Sequence, residues 1–214
     1  MEEWGRMNFK QNLFEKNNKS FRISHEELGA VNKLAKEITQ LLPSAFINRP
    51  IVFVCIGTDR STGDSLGPLI GTLLEDKRLP SFFVYGTLKD PIHAVNLEEK
   101  LMDIKKKHFN PFIIGIDACL GRLKSVGFIE IGDGPVKPGA GVNKELPEVG
   151  DIHITGIVNV GGFMEYFVLQ NTRLHLVLNM AKIIASGIYK ANLSIEPSYF
   201  VTTNQWELDK EQTT

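Results

Sequence analysis

The sequence predicts an α/β fold, in which a mainly parallel, twisted sheet lies between helices in a single three-layer domain. Two observations predict it. The apolar runs at 51–56 and 111–116 contain no charged residue, which is typical of strands buried on both faces. Helical patterns alternate with these runs, which indicates parallel strands joined by helices. We expect the domain at 23–200, between a polar arm at 1–22 and a polar tail at 201–214.

The predicted elements alternate along the chain. The first helix is predicted from Ser24 and Glu27, which have capping-box spacing, and from an apolar stripe that starts at Leu28. The strand at 51–56 continues through a polar, glycine-rich loop into a helix that begins near Leu66. The remaining elements are strands at 82–86, 111–118, 127–131 and 151–158, helices at 93–107, 163–169 and 174–188, and a Gly- and Pro-rich loop at 132–150. A loop of that length within one domain is uncommon and is often functional.

Composition and charge indicate a cytoplasmic globular protein. The 214 residues are 43% hydrophobic and 23% charged, and the net charge of −1 gives no electrostatic basis for binding nucleic acid or an anionic membrane. Cys55 and Cys119 lie in or next to apolar runs, as reduced thiols of cytosolic proteins do. Residues 1–19 lack the apolar core of a signal peptide, and no apolar run reaches the roughly 18 residues of a membrane span. A homo-oligomer is compatible with the sequence, which leaves the oligomeric state open.

Two carboxylates are the candidate catalytic groups because each follows a predicted buried strand. Asp117 ends the run that starts at residue 111, and Asp64 lies in the loop after the strand at 51–56. Neighbouring parallel strands are about 4.8 Å apart, so side chains past their carboxyl ends can converge on one crevice. Two carboxyl groups held close together do not both ionise easily, and the pair then supplies an acid and a base. Helix capping is the non-catalytic interpretation of Asp64.

A metal site and a serine nucleophile are alternatives to this acid/base pair. The two aspartates could hold a divalent cation with His153 as third ligand, although a lone histidine in a buried strand is more often simply hydrogen-bonded. Gly63-Asp-Ser-Leu-Gly67 matches the nucleophile-elbow pattern and the letters of the Gly-Asp-Ser-Leu esterases, with Ser65 as nucleophile. However, seven residues separate Ile56 from Asp64, whereas an elbow serine follows its strand directly. The Asp-x-x-His of those esterases is matched only by Asp90-Pro-Ile-His93, in mid-chain.

Three blocks of sequence carry a resemblance to a known family. They are Ser61-Thr-Gly-Asp-Ser-Leu-Gly-Pro68, Ile114-Gly-Ile-Asp-Ala118 and Pro138-Gly-Ala-Gly-Val-Asn-Lys-Glu-Leu146. In this order they resemble the germination protease of endospore-forming bacteria. The chain as a whole is more similar to a smaller type of sporulation protein related to that protease, the YyaC type. It departs from the protease at Gly63 and Ser65, where the protease is similar to Thr-Pro-Asp-Ala-Leu-Gly-Pro, and it is shorter.

The resemblance implies a fold and a function. The implied fold is that of the hydrogenase-maturation peptidases, and the implied functional pair is Asp64 and Asp117. In the hydrogenase group these acids contact a metal together with a histidine, which would correspond to His153. We therefore expect a sporulation-associated peptidase, in the cytoplasm of the sporulating cell or forespore, that acts on a protein or peptide. Its expected substrate-binding residues are Thr58, Ser61, Asn143 and Lys144, and the alternative is a non-catalytic binding or regulatory protein on the same fold.

Overall fold

The computed structural model describes residues 20–43, 49–139 and 146–195. These residues form one six-stranded sheet with helices on both faces, which confirms the predicted α/β fold class. The strands are β1 Phe21–Ser24, β2 Ile51–Cys55, β3 Phe82–Tyr85, β4 Phe112–Gly121, β5 Phe128–Asp133 and β6 Ile152–Val160. The helices are α1 Ala30–Leu41, α2 Leu66–Glu75, α3 Leu97–Lys107, α4 Glu165–Gln170 and α5 Leu174–Ser194.

The sheet is mainly parallel, as predicted. Its strand order is β1-β5-β6-β4-β2-β3. β2 pairs in parallel with β3 and β4, and β4 pairs in parallel with β6. β5 lies antiparallel to β6, and β1 lies antiparallel to β5 at the edge. The carboxyl ends of β2, β4 and β6 therefore point to the same edge of the sheet, where open α/β folds bind their ligands.

Two hydrophobic cores, one on each face of the sheet, make the domain three-layered. Phe53 of β2 packs into the core shared with α1, α2 and α5. Its neighbours Val52 and Val54 point to the opposite face, where Leu97 and Ile104 of α3 cover them. All five residues of β2 are buried for this reason, which explains the continuous apolar run in its sequence.

The amino-terminal part of the domain differs from the prediction. Phe21 and Arg22, which were assigned to the polar arm, belong to β1 and pair with β5. α1 begins after Gly29, whose φ of +79° suits glycine, and not at Ser24. Ser24 instead ends β1, and its hydroxyl accepts the Glu26 N–H in a turn. Leu28, predicted to belong to the apolar stripe, is 96% exposed in that turn.

The remaining elements lie close to their predicted positions. The helix predicted at 93–107 begins at Leu97, and the loop predicted at 132–150 is partly closed by an antiparallel bridge between Val136 and Val149. In the described ranges, no helix is long and apolar enough to cross a membrane.

Candidate active site

Asp64 is held above the end of β2 by a tight turn of the central loop, residues 57–65. Gly57 has a φ of +144°, and a Cβ there would lie 1.9 Å from the backbone oxygen of Asp64. The next residue, Thr58, donates its N–H to that same oxygen at 3.2 Å. The loop therefore needs a glycine at this position to turn back over the strand end. Helix α2 follows with Ser65 at its N-cap and no side-chain cap hydrogen bond, so the structure does not support helix capping by Asp64.

Asp117 lies inside a strand, and the prediction that it ends the strand is wrong. β4 continues four residues beyond it to Gly121 because β6 still pairs with it there. On its other side, β2 ends at Cys55, which pairs with Ile116. Asp117 is therefore the first residue of β4 beyond the carboxyl end of β2, which leaves space beside it.

Both carboxylates line one cavity of about 260 Å³ at this edge of the sheet. The polar side chains that line it with them are those of Thr58, Arg60, Ser61, His93 and Tyr166. Pro138, Gly139 and Leu146 bring both described ends of the long loop to the same cavity. The structure thus brings Asp64 and Asp117 together, as the sequence predicts.

Asp117 favours the protonated form. Its side chain is buried, and this burial raises the pKa of the carboxyl well above its usual value. The nearby Asp64 charge raises it further, while the Ala118 N–H, which donates to Asp117 Oδ1 at 2.8 Å, lowers it. Burial and the neighbouring charge outweigh the single hydrogen bond, so this carboxyl is suited to donate a proton.

Asp64 ionises more readily than Asp117. It is less deeply buried, and burial raises its pKa less strongly. The neighbouring Ser61 hydroxyl acts in the opposite direction and lowers the Asp64 pKa. Ser61 is only 4% exposed, and its oxygen makes no well-aligned hydrogen bond with any residue that the structure describes. Both pKa values are raised, but that of Asp117 is raised more, so Asp117 is the member of the pair that keeps its proton more readily.

The predicted substrate-binding residues divide into two groups. Thr58 and Ser61 line the cavity, whereas Asn143 and Lys144 lie outside the described residues. His153 is not part of the lining: its Nδ1 is hydrogen-bonded to the Gly134 oxygen at 3.0 Å, as the non-ligand interpretation expects. No group of three or more His, Cys, Asp and Glu residues within the described ranges could hold a metal ion. Within the described ranges, the donor set therefore does not fit the implied metal site.

The groups required by the serine-esterase alternative lie apart. The Ser65 hydroxyl donates to the Thr62 oxygen at 2.7 Å and does not line the cavity. The Asp90 carboxylate accepts hydrogen bonds from the Lys100 ammonium at 2.7 and 2.8 Å. It is thus bound to a lysine and not to a histidine. This geometry offers Ser65 no general base among the described residues.

His93 and Tyr166 are two lining residues that the sequence analysis did not assign to this cavity. His93 follows Ile92, which forms a parallel bridge with Ile56 just beyond β2. Its Nδ1 accepts the Val95 N–H at 3.3 Å, so a neutral His93 carries its proton on Nε2, which donates to no other group within the described residues. The apolar Ile92 before His93 was the available signal. No local feature of the sequence indicated Tyr166, because only the folded chain brings α4 beside the central loop.

The fold and the cavity define an α/β protein with paired carboxylates at the carboxyl edge of its sheet. Residues 22–187 match the family described as "Protein of unknown function (DUF1256)", and the chain belongs to this family. It is 63% identical over 169 residues to "Uncharacterized protein YyaC" of Bacillus subtilis (strain 168), a match that covers 78% of this chain and 80% of that relative. The YyaC-type resemblance is thereby confirmed. The links to sporulation, to the germination protease and to the hydrogenase-maturation-peptidase fold stay predictions.

Proposed function

We propose that this protein is a germination-protease-like peptidase of the sporulating cell or forespore, which hydrolyses a peptide bond with Asp64 and Asp117. The observation that carries the proposal is that both carboxyl groups line one cavity, and that none of the ion pairs among the described residues neutralises either of them. Unpaired, partly desolvated carboxyl groups of this kind cluster at catalytic sites. The sporulation setting rests on the sequence resemblance alone.

In the first step, water adds to the peptide carbonyl. The ionised Asp64 removes a proton from a water molecule, whose oxygen attacks the carbonyl carbon. The protonated Asp117 donates its proton to the carbonyl oxygen, which yields a neutral tetrahedral diol. Thr58 and the Nε2–H of His93 are among the lining groups that can orient the peptide.

In the second step, the diol collapses. Asp64, now protonated, gives its proton to the amide nitrogen as the carbon–nitrogen bond breaks. Asp117 takes back a hydroxyl proton as the new carboxyl group forms. The products are a carboxylic acid and an amine, and both aspartates return to their starting states.

A non-catalytic binding or regulatory protein on this fold is the second candidate. The observation that favours it is that Phe163 and Phe167, in and next to α4, are 92% and 53% exposed. Exposed aromatic side chains in a group are typical of surfaces that bind another protein. The same cavity would then hold a partner's chain without cleaving it.

The experiment that tests the proposal is peptide cleavage in ¹⁸O-labelled water, followed by mass spectrometry. Wild-type protein is incubated with a broad peptide library and with fragments of spore proteins, with and without added divalent metal or a chelator. We expect new carboxyl ends that carry one ¹⁸O atom. Asp64→Asn and Asp117→Asn should each lower the yield of these products by orders of magnitude, and the double variant should be little worse, because the pair acts as a unit.

The outcome that rejects the peptidase is equally concrete. If the wild type cleaves nothing under any of these conditions, yet binds a protein from sporulating cells through this cavity, it is a binding protein and not a peptidase. Binding is assigned to the cavity if Asp64→Asn or Tyr166→Ala weakens it.

A further inference from the structure

A group of large apolar side chains lies exposed beside the cavity. It consists of Phe163, Met164, Tyr166 and Phe167, which we call the apolar patch. These side chains are 92%, 55%, 52% and 53% exposed, respectively. Large apolar residues that are exposed singly are common on proteins, but four within five positions mark an interaction site.

The apolar patch is firmly attached to the loop that carries Asp64. Gly63, the residue before Asp64, donates its N–H to the Leu169 oxygen of α4 at 2.8 Å. The contact is tight, since a Cβ at Gly63 would lie 2.7 Å from Leu169 Cδ2. Asn159 of β6 holds the same helix by donating to the Val168 oxygen at 3.2 Å. Val168 and Leu169 therefore anchor α4 to the sheet and the catalytic loop, while the patch residues in and before the helix stay exposed.

Tyr166 connects the patch to the cavity. It lines the cavity together with both aspartates. Its ring meets the Phe167 ring edge-on, with 5.8 Å between centroids and 82° between planes. Phe167 also lines a second groove, together with Phe163, Met164, Asn159 and Asn171. The contact between the Tyr166 and Phe167 rings thus joins the cavity that holds the carboxylates to this groove.

Resting on the proposed function, we infer that the apolar patch binds a large apolar side chain of the substrate polypeptide, next to the bond that Asp64 and Asp117 cleave. The substrate class is then an extended protein segment with Leu, Met or an aromatic residue beside the scissile bond. A cavity of about 260 Å³ accepts one or two residues of such a segment but no folded domain. The rest of the segment must lie outside the cavity, and the apolar patch, which Tyr166 joins to the cavity, offers it a mainly apolar surface.

The test is peptide binding to the full-length protein, measured by fluorescence anisotropy in the Asp117→Asn background, so that cleavage does not interfere. We compare two peptides of equal length, one with Leu and the other with Ser at a single position. Changing Phe163 and Phe167 together to Ser should weaken binding of the Leu peptide by roughly tenfold or more and leave the Ser peptide unchanged. The matched control is Phe109→Ser, because Phe109 is 88% exposed just before β4, at the opposite edge of the sheet. It should change neither affinity.

Two results would overturn the inference. One is an unchanged preference for Leu over Ser in the patch variant. The other is a change in sedimentation from dimer to monomer in the patch variant without any change in peptide preference, which would assign the patch to a second copy of the chain. Failure of the proposed function is separate: if the wild type cleaves no peptide but its preference for Leu depends on the patch, the patch is a docking surface of a binding protein.

Discussion

Two aspartates at opposite edges of the same sheet have very different surroundings. Asp151, just before β6, uses both carboxylate oxygens: Oδ2 accepts the Ile113 N–H at 2.8 Å, and Oδ1 accepts from Arg49 Nη2 at 3.2 Å. Arg49 also donates to the backbone oxygens of Asn110 and Pro111. This carboxylate joins β4, β6 and the segment before β2 at the amino edge of the sheet. Its role is structural.

Asp117 of the same sheet has much less to stabilise its charge. Its side chain accepts one hydrogen bond, from the adjacent Ala118 N–H, and none of the ion pairs in the described part of the chain includes it. It is buried beside a second carboxyl group, which is an unfavourable environment for a charge. Among the described residues, Asp117 makes no hydrogen bond beyond the one to its sequence neighbour, which supports the catalytic role that we propose for it. The comparison with Asp151 therefore separates an aspartate with a structural role from one for which we propose a catalytic role.

Turnover should show the largest difference between the two aspartates. Asp117→Asn removes the proton donor without changing the size of the side chain, and we expect kcat to fall by about 10²–10⁴-fold. Asp151→Asn lies at the other edge of the sheet, and its kcat should stay within about threefold of wild type. The measurement is steady-state cleavage of the best peptide from the library. Equal losses of kcat in the two variants would contradict the difference in role between Asp117 and Asp151 and would indicate a general effect on folding.

Stability should show the reverse order. Asparagine has a single acceptor oxygen, which suffices for the one bond of Asp117 but not for the two of Asp151. Asp151→Asn should lower the free energy of unfolding by about 1–2 kcal/mol, whereas Asp117→Asn should leave it unchanged or raise it. Urea denaturation at pH 7, followed by circular dichroism, measures both values. A larger loss for Asp117→Asn than for Asp151→Asn would mean that Asp117 is structural.

The pH dependence of stability provides a third test. The pKa of Asp117 is raised in the folded protein, so above the ordinary value of 3.8 the folded state holds a proton that the unfolded state has released. Stability therefore falls as pH rises from that value towards the native pKa. We expect the melting temperature of Asp117→Asn, relative to wild type, to be higher at pH 8 than at pH 5. A constant difference between the two proteins would show that Asp117 ionises normally.

The sequence predicted the parallel half of the sheet better than the antiparallel half. The run that forms β2 is apolar throughout because both of its faces are covered, and this signal is local. β1 has only four residues, of which one is buried. It forms because the edge of β5 is available for antiparallel pairing. The capping-box spacing at Ser24 and Glu27 favoured a helix there, and tertiary pairing overrode it.

The candidate site was predicted in part for the same reason. Asp64 and Asp117 were found because each follows an apolar run, although the end of β4 was misplaced, since the end of its neighbour β2 creates the opening. The approach of Tyr166 depends on the packing of Leu169 against Gly63, a contact between residues more than 100 positions apart. No local pattern encodes such a contact. The sequence therefore predicts the part of the cavity that the strand ends form, but not the part that the distant helix α4 contributes.

The smallest expected effect concerns two serines of the central loop. Ser61 is buried in the cavity, and its hydroxyl lowers the pKa of Asp64, which must be ionised to activate water. In Ser61→Ala that pKa rises, so the acidic limb of the kcat/KM profile should move to higher pH, while the alkaline limb, set by Asp117, stays in place. Ser65→Ala is the matched control, because the Ser65 hydroxyl donates to the Thr62 oxygen and does not line the cavity. Its pH profile should equal that of wild type. An unmoved acidic limb in Ser61→Ala would show that this hydroxyl does not tune Asp64, and the difference between the two pKa values would then rest on burial and on the Asp64 charge beside Asp117.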